Sequence, residues 1–556
     1  MWGNWIEKDK PNLSKVKSLA EILNIPFFIC SLLIQRNINS LKEAQNFFRP
    51  NLSNLHDPFL LKDIKKAIKK IEDSKSDKIM ILGDYDVDGT TSTAMLYTYF
   101  NNLGYNVSYY IPDRYKEGYG VSINAIDHAI QNNIKLIITV DCGIKAIDQI
   151  NYASLNEIDV IICDHHLPDQ KLPKAYAIIN PKQSECKYPF KELCGCGIAF
   201  KLISAHNSIS KSDTNVNDLL DFVALATISD MMPMIDENRI LVYHGLKLMN
   251  QNPRLGLQNF FRFINKVDES NVSFNIGPRI NASGRMKNAK ISVDLLVEEN
   301  PERAITISNE VEYLNQKRRE AENNVLESII SKINAKSFSN VIYGKGWSSG
   351  VLGIVASRVI EQSYKPSIIL TDFDENLLSG SVRSVPDFDV YDALKDCHKY
   401  LFQYGGHKYA AGLKIKKENL DDFINEFEKT VKNKVDGKMF ERKYKYDLSI
   451  NFSEINLKNA KIIQRMSPFG LENIKPTFRT NNCRLEGKLN FVGKEKQIVK
   501  SVVFDNEGNK LPFISFKRKD EISKINSTFD ILYTVGINSY SGQEQVELTI
   551  KEISIN

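Results

Sequence analysis

Apolar and polar positions along the chain follow two periods, and the places where the period changes mark its elements. From Lys78 the run Ile79-Met80-Ile81-Leu82 reads as a short buried strand. A Gly/Asp loop and a helical stretch over 90–100 follow. The unit then recurs: 107–111, 136–140, 160–163 and 176–179 read as strands, while 123–130 and 144–155 carry helical spacing. Strands that are apolar throughout, alternating with amphipathic helices, predict an α/β fold with a doubly wound parallel sheet covered on both faces.

Outside that unit the pattern predicts four more segments. Residues 1–75 read as an N-terminal helical segment ending in a lysine-rich helix. Helical signal dominates from 197, so the catalytic α/β domain is expected over 76–300, and the polar stretch 301–336 reads as a long connecting helix. A second, smaller α/β domain is expected over 337–440, with strands at 341–343, 367–371 and 377–382, a helix at 351–362 and another ending near 400. Over 446–556 short strands and turns such as Asn506-Glu507-Gly508-Asn509 suit a small β-barrel.

Composition changes this picture little. A chain of 556 residues implies two to four domains, and 42% apolar with 25% charged residues is ordinary for a globular protein. The longest near-apolar run, 25–34, is too short for a bilayer, which needs about 20 residues. The start, Met1-Trp2-Gly3-Asn4, carries no basic-then-apolar signal pattern. Eight scattered cysteines fit a reducing compartment, so a cytoplasmic protein with no membrane contact is expected. A net charge of +5 permits a polyanionic partner without requiring one.

The chemistry concentrates at strand ends. Asp84, Asp86 and Asp88 follow the first strand at spacing two, on one side of an expected extended segment. Asp141 follows the third strand, and Asp164-His165-His166 the fourth. Asp230 ends an apolar helix. In an open parallel sheet, functional groups gather at the carboxyl ends of strands. Crowded carboxylates repel, so a multivalent cation is the natural partner, and carboxylate with imidazole suits Mn²⁺, Mg²⁺ or Zn²⁺. Enough carboxylates are present for two ions in phosphoester hydrolysis. Each cluster alone has a plainer reading: a lone Asp caps a helix, and a His-His pair is often surface. Cys186 with Cys194-Gly-Cys196 lacks zinc-finger spacing.

The motifs GDYDVDG (83–89), TVDCG (139–143), DHH (164–166) and SDMMPM (229–234) resemble, in that order, the DHH phosphoesterase superfamily. The stretches 275–286, 346–358, 381–384, 405–412 and 468–473 are similar to those of its RecJ exonuclease family, over nearly the whole chain. The resemblance implies a metal-dependent exonuclease degrading single-stranded DNA in the 5′ to 3′ direction, in repair and recombination. It implies two divalent ions, Mn²⁺ or Mg²⁺, on Asp86, Asp88, Asp141, His165 and Asp230, with Asp141 as bridge. His166 matches a contact to the scissile phosphate, and Asp84 and Asp164 are expected to support it. Leu82 stands where some superfamily members carry a histidine, and Ser348 where many RecJ proteins do. Single-strand-binding protein, a RecQ-type helicase and a monomeric state are implied by family alone. The alternative is a DHH-type phosphodiesterase of short oligonucleotides or cyclic dinucleotides.

The second lobe suits phosphate. Gly405-Gly406 lets backbone amides approach, His407 adds charge, and Arg383 beside Ser381 offers a bidentate fork. Arg279 and Arg285 line the groove, or else cap a helix or pair with a carboxylate. The C-terminal barrel carries Phe491, Phe504, Phe513, Phe516 and Tyr533 near Lys494, Lys496, Lys500, Lys517, Arg518 and Lys519, an aromatic and cationic mix that holds single strands in OB folds. As a separate module it would be dispensable for very short oligonucleotides, so a chain ending near Lys445 is expected to cleave those.

Overall fold

The computed structural model describes residues 4–493, 496–539 and 542–555; Met1, Trp2, Gly3 and Lys494 lie outside them. The first sheet has five strands in the order Asn106–Tyr110, Lys78–Gly83, Leu136–Val140, Asp159–Cys163, Ala177–Ile179, all parallel. Ile79 and Ile81 face one apolar core and Met80 and Leu82 the other, so both faces are covered, as apolar strands of period two demand. Leu82 is wholly buried in the second of these cores. The helix expected over 90–100 is Val87–Asn102. It starts early because Asp86 caps it, accepting the Gly89 amide at 3.1 Å.

A 30-residue helix, Pro301–Ile330, leads to the second lobe, with Asn300 capping its first turn. That lobe holds a five-stranded sheet in the order Leu401–His407, Ala410–Lys416, Leu377–Arg383, Ser367–Asp372, Asn340–Tyr343. The first two form a hairpin absent from the sequence reading. The Gly405-Gly406 pair therefore lies within an edge strand, not in a turn. Glycines lower strand propensity, which hid the strand.

In the C-terminal lobe, strand Phe478–Val492 pairs with Ile498–Phe504 and with Phe529–Asn538. Lys510–Ser515 and Gln545–Ile555 complete the ladder, whose pairing returns to its start as a barrel requires. Its core is not its own. Val16, Leu19, Phe28, Leu32 and Leu33 from the helices Leu13–Leu23 and Phe27–Ile34 pack with Phe478, Phe529, Tyr533 and Leu548. Strand Asn4–Glu7 pairs in parallel with Lys443–Tyr446. The N-terminal segment thus divides: its first helices join the C-terminal strands, while Ile64–Asp73 packs into the core of the first sheet. Among the described residues no single helix is long and apolar enough to cross a membrane.

Candidate metal centre and phosphate-binding lobe

All-parallel strands place Asp84, Asp141 and Asp164 side by side, each just past a strand end. The aspartate triplet is not one extended segment, because Asp88 sits in the first helical turn. There its carboxylate accepts the Gly195 amide at 2.6 Å and the Cys196 amide at 2.7 Å, at the start of helix Gly195–Ser210. A β-carbon at Gly195 would stand 2.7 Å from the Asp141 β-carbon, so only glycine fits. The Cys194-Gly-Cys196 motif therefore serves as a helix start, with the Cys194 sulfur accepting the Gly197 amide at 3.3 Å. Asp230 ends helix Leu220–Ser229.

His165 stands at the centre. Its Nε2 lies 3.1 Å from Asp141 Oδ1 and 3.7 Å from both Asp88 Oδ2 and Asp230 Oδ2. Three sets of donor atoms each fall within 4.8 Å of one another: Asp84, Asp86 and Asp141; Asp88, His165 and Asp230; Asp141, His165 and His166. Asp141 joins the first set to the third, which shares His165 with the second.

The electrostatics fit cations. Burial, reinforced by neighbouring carboxylates, pushes Asp88 up to about 7 and Asp230 up to about 8, and Asp84 and Asp141 well above the usual range. Burial pushes His165 down to about 3, so its imidazole is neutral and free to ligate. Asp84 Oδ1, Asp141 Oδ1 and His165 Nδ1 are buried without a hydrogen-bond partner. Carboxylate oxygens left unpaired at such density fit divalent ions. Asp84, expected as a supporting group, belongs by this geometry with Asp86 and Asp141.

Asp164 turns outward from that set. Its Oδ1 pairs with His166 Nδ1 at 2.7 Å and accepts the His166 amide, and its Oδ2 accepts the Ile144 amide at 3.0 Å. Burial pushes Asp164 up, but these bonds outweigh it and the carboxyl lies below its ordinary value. His166 is shifted the other way: burial lowers it, and the Asp164 bond outweighs that and raises it. The Tyr119 hydroxyl donates to the Asp141 carbonyl at 3.1 Å and sits 3.2 Å from His166 Nε2.

The second lobe meets the first at Arg285, which donates to the Gly350 carbonyl at 3.0 Å. Arg285 feels the charges of Arg114, Arg318 and Arg383 and that of Asp86, so cations from both lobes gather beside the aspartates. Arg383 donates to Ser381 Oγ at 3.2 Å. Arg279 does not join them. Its Nε pairs with Glu312 at 2.5 Å and its Nη1 holds the Asn275 carbonyl, so the carboxylate-pairing alternative is the one realised. Gly405, Gly406 and His407 are exposed on the edge strand, with open space beside Gly405. In the C-terminal lobe Phe513 and Tyr533 are core, whereas Phe491 and Phe516 are exposed and the Lys519 ammonium lies 5.2 Å from the Phe491 ring.

Sequence reasoning missed Arg114, Tyr119 and the Gly195–Cys196 amides. Arg114 follows the second strand, so the strand-end rule that found the aspartates could have found it.

Comparison with known proteins agrees with this architecture. Family models match as "DHH family, N-terminal domain" over residues 78–227, "DHHA1 domain" over 326–433 and "RecJ OB domain" over 446–552. The single-stranded-DNA-specific exonuclease RecJ of Bacillus subtilis is 34% identical over 99% of this chain and 71% of its own length. That of Haemophilus influenzae is 32% identical over 93% of this chain and 94% of its own. Among solved structures, RecJ from Thermus thermophilus in complex with Mn²⁺ superposes with a TM-score of 0.83 at 22% identity, covering 100% of this chain and 80% of that one. An exonuclease RecJ bound to manganese gives 0.61 at 29% identity, covering 68% of this chain and 96% of that one.

Proposed function

Because the chain belongs to the RecJ family of single-stranded-DNA-specific exonucleases, we propose that it removes nucleotides from single-stranded DNA in the 5′ to 3′ direction, with two divalent ions, Mn²⁺ or Mg²⁺. It is a metal-dependent exonuclease and a hydrolase of phosphodiester bonds. The observation that carries the reading is the position of Asp141, within 4.8 Å of donor atoms in two acid and imidazole sets at the ends of a parallel sheet.

In this reading Asp84, Asp86 and Asp141 hold one ion, and Asp88, His165, Asp230 and Asp141 the other. Two divalent ions held there would supply charge stabilisation for phosphodiester hydrolysis. Asp164 fixes the ring of His166 through Nδ1 and favours its protonated form, whose Nε2–H, beside the Tyr119 hydroxyl, would donate to an oxygen of the scissile phosphate. Arg114, Arg285 and Arg383, with Ser381, offer the phosphate nearest the strand end a fork of donors. His407 and the Gly405-Gly406 edge meet phosphates further out.

The rest of the strand has a route. A groove of 1810 Å³ runs from Met231 and Met232, next to Asp230, to Phe469, Leu471 and Lys475 of the C-terminal lobe. Exposed Phe274 and Met231 offer apolar faces to bases there. This groove, and the match to a RecJ OB domain, favour long strands over short oligonucleotides or cyclic dinucleotides. Single-strand-binding protein and a RecQ-type helicase as partners, a monomeric state and a cytoplasmic location belong to the same reading. The test is incubation with end-labelled single- and double-stranded DNA in Mn²⁺, Mg²⁺ or EDTA. Loss of label from single strands only, and only with metal, is expected; equal cleavage of duplex would refute it.

A further inference from the structure

The loop that follows Asp230 is held by a lobe other than its own. The remaining acidic segments are fixed within the first domain: Asp88 by the Gly195 and Cys196 amides, Asp141 by its amide on the Cys163 carbonyl at 3.0 Å, Asp164 by Ile144. Beyond Asp230 the chain turns at Met231, in the left-handed region at φ 55°. The Met234 amide then donates to the Leu471 carbonyl of the C-terminal lobe at 2.7 Å. Gly470 presses on the same residue, since a β-carbon there would stand 3.2 Å from both Cβ and Cε of Met234.

Five residues on, Arg239 repeats the connection. Its guanidinium is buried and donates to the carbonyls of Ser467 and Pro468, each at 3.0 Å, and of Phe47 at 2.9 Å, while lying 3.9 Å over the Phe47 ring. Among the described residues it makes no ion pair. The 467–473 turn is braced in its own right. Asn473 donates to the Met466 and Pro468 carbonyls and accepts from Arg36 at 3.0 Å. A buried cation spent on main-chain carbonyls is a costly way to fill a core, and apolar packing would serve stability better. What the arrangement secures is geometry.

We propose that the 467–473 turn, through Arg239 and the Leu471–Met234 bond, positions the Asp230 carboxylate for metal binding, making Arg239 a positioning residue for hydrolysis. The proposal rests on the reading of Asp230 as a ligand. Asp230 meets His165 at 3.7 Å, so a small shift of its loop separates the donors of one ion. Altering groups that orient a ligand typically costs about 10–100-fold in metal affinity or activity.

The experiment titrates Mn²⁺ into the metal-free full-length protein by electron paramagnetic resonance, alongside kinetics on a long single strand. In Arg239→Lys and in Gly470→Ala, the weaker Mn²⁺ should bind about 10–100-fold less tightly and kcat should fall, with KM unchanged and kcat restored at high Mn²⁺. The control is Arg254→Lys, just past the end of the same helix and at the start of the next, where a half-buried guanidinium pairs with Asp221 at 2.6 Å. It should lower Tm and leave Mn²⁺ affinity alone. Wild-type Mn²⁺ affinity in folded Arg239→Lys and Gly470→Ala would overturn the proposal, as would an equal loss in Arg254→Lys. If Asp230→Asn binds both ions as wild type does, the ligand reading fails instead.

Discussion

The catalytic lobe and the C-terminal lobe are built in opposite ways. The first assembles from neighbours: strand, helix and strand follow one another within 78–179, and each acidic motif sits where a strand ends. The second assembles from the two ends of the chain, with Arg36 bonded to Asn473 across 437 positions and one apolar core shared by 16–44 and 450–553. The difference teaches that chemistry carried by local connections is portable, whereas a module that borrows its core cannot be removed cleanly.

The largest effect follows from that. Ending the chain near Lys445 strips Val16, Leu19, Phe28, Ile29, Leu32 and Leu33 of the C-terminal side of their core. At about 1.5–3 kcal/mol for each side chain returned to water, the loss rivals a typical total stability of about 5–15 kcal/mol. The expected outcome therefore reverses the modular one: truncation at 445, or deletion of 4–48, yields protein that melts early and fails even on very short oligonucleotides. Circular dichroism melts and a dinucleotide assay check it, and a stable, active truncation would erase the contrast.

Next come the acidic residues of the catalytic lobe. Asp141→Asn should abolish cleavage while leaving the metal-free Tm equal or higher, because it removes a buried carboxylate whose neighbours push its pKa well up. The sign for pH is fixed by the same shifts. Groups raised to about 7 and about 8, against an unfolded value of about 4, favour the fold below that value and lose this contribution as pH climbs through the folded values. The EDTA-treated protein should therefore lose Tm as pH rises from about 4 to past 8. The slope should flatten with Mn²⁺ or in Asp230→Asn. A metal-free Tm independent of pH would contradict the crowded-carboxylate account.

Smaller effects test the DNA contacts. Arg383→Ala should weaken binding to all sequences and reduce the salt slope by about 0.7, one single-strand phosphate contact. Fluorescence anisotropy against salt decides it, and an unchanged slope makes Arg383 structural. Smallest is Phe516→Ala, which should cost about 1–3 kcal/mol, the stacking of one base, on long strands and nothing on short ones. Phe513→Ala, in the core, should instead lower Tm.

The contrast also explains what could be read from sequence. The doubly wound sheet and the aspartates at its strand ends were legible because period and punctuation are local. The Leu401–His407 strand was not, because glycines masked it. Nor was the role of Gly195, whose need for glycine arises from an aspartate 54 positions upstream, Asp141. Arg279 looked like a groove residue because its partner, Glu312, lies 33 positions away on another helix. The joint N- and C-terminal core left no trace, since nothing in either segment's pattern names the other.

The central claim is that the strand-end aspartates with His165 hold two ions which cleave single strands from one end. The most direct measurement is Mn²⁺ stoichiometry by isothermal titration on the metal-free wild type and Asp141→Asn, paired with cleavage of a 5′-labelled single strand. The account predicts two ions and label released as small product for wild type, fewer ions and no release for the variant. Two tightly bound ions together with cleavage in Asp141→Asn would contradict it.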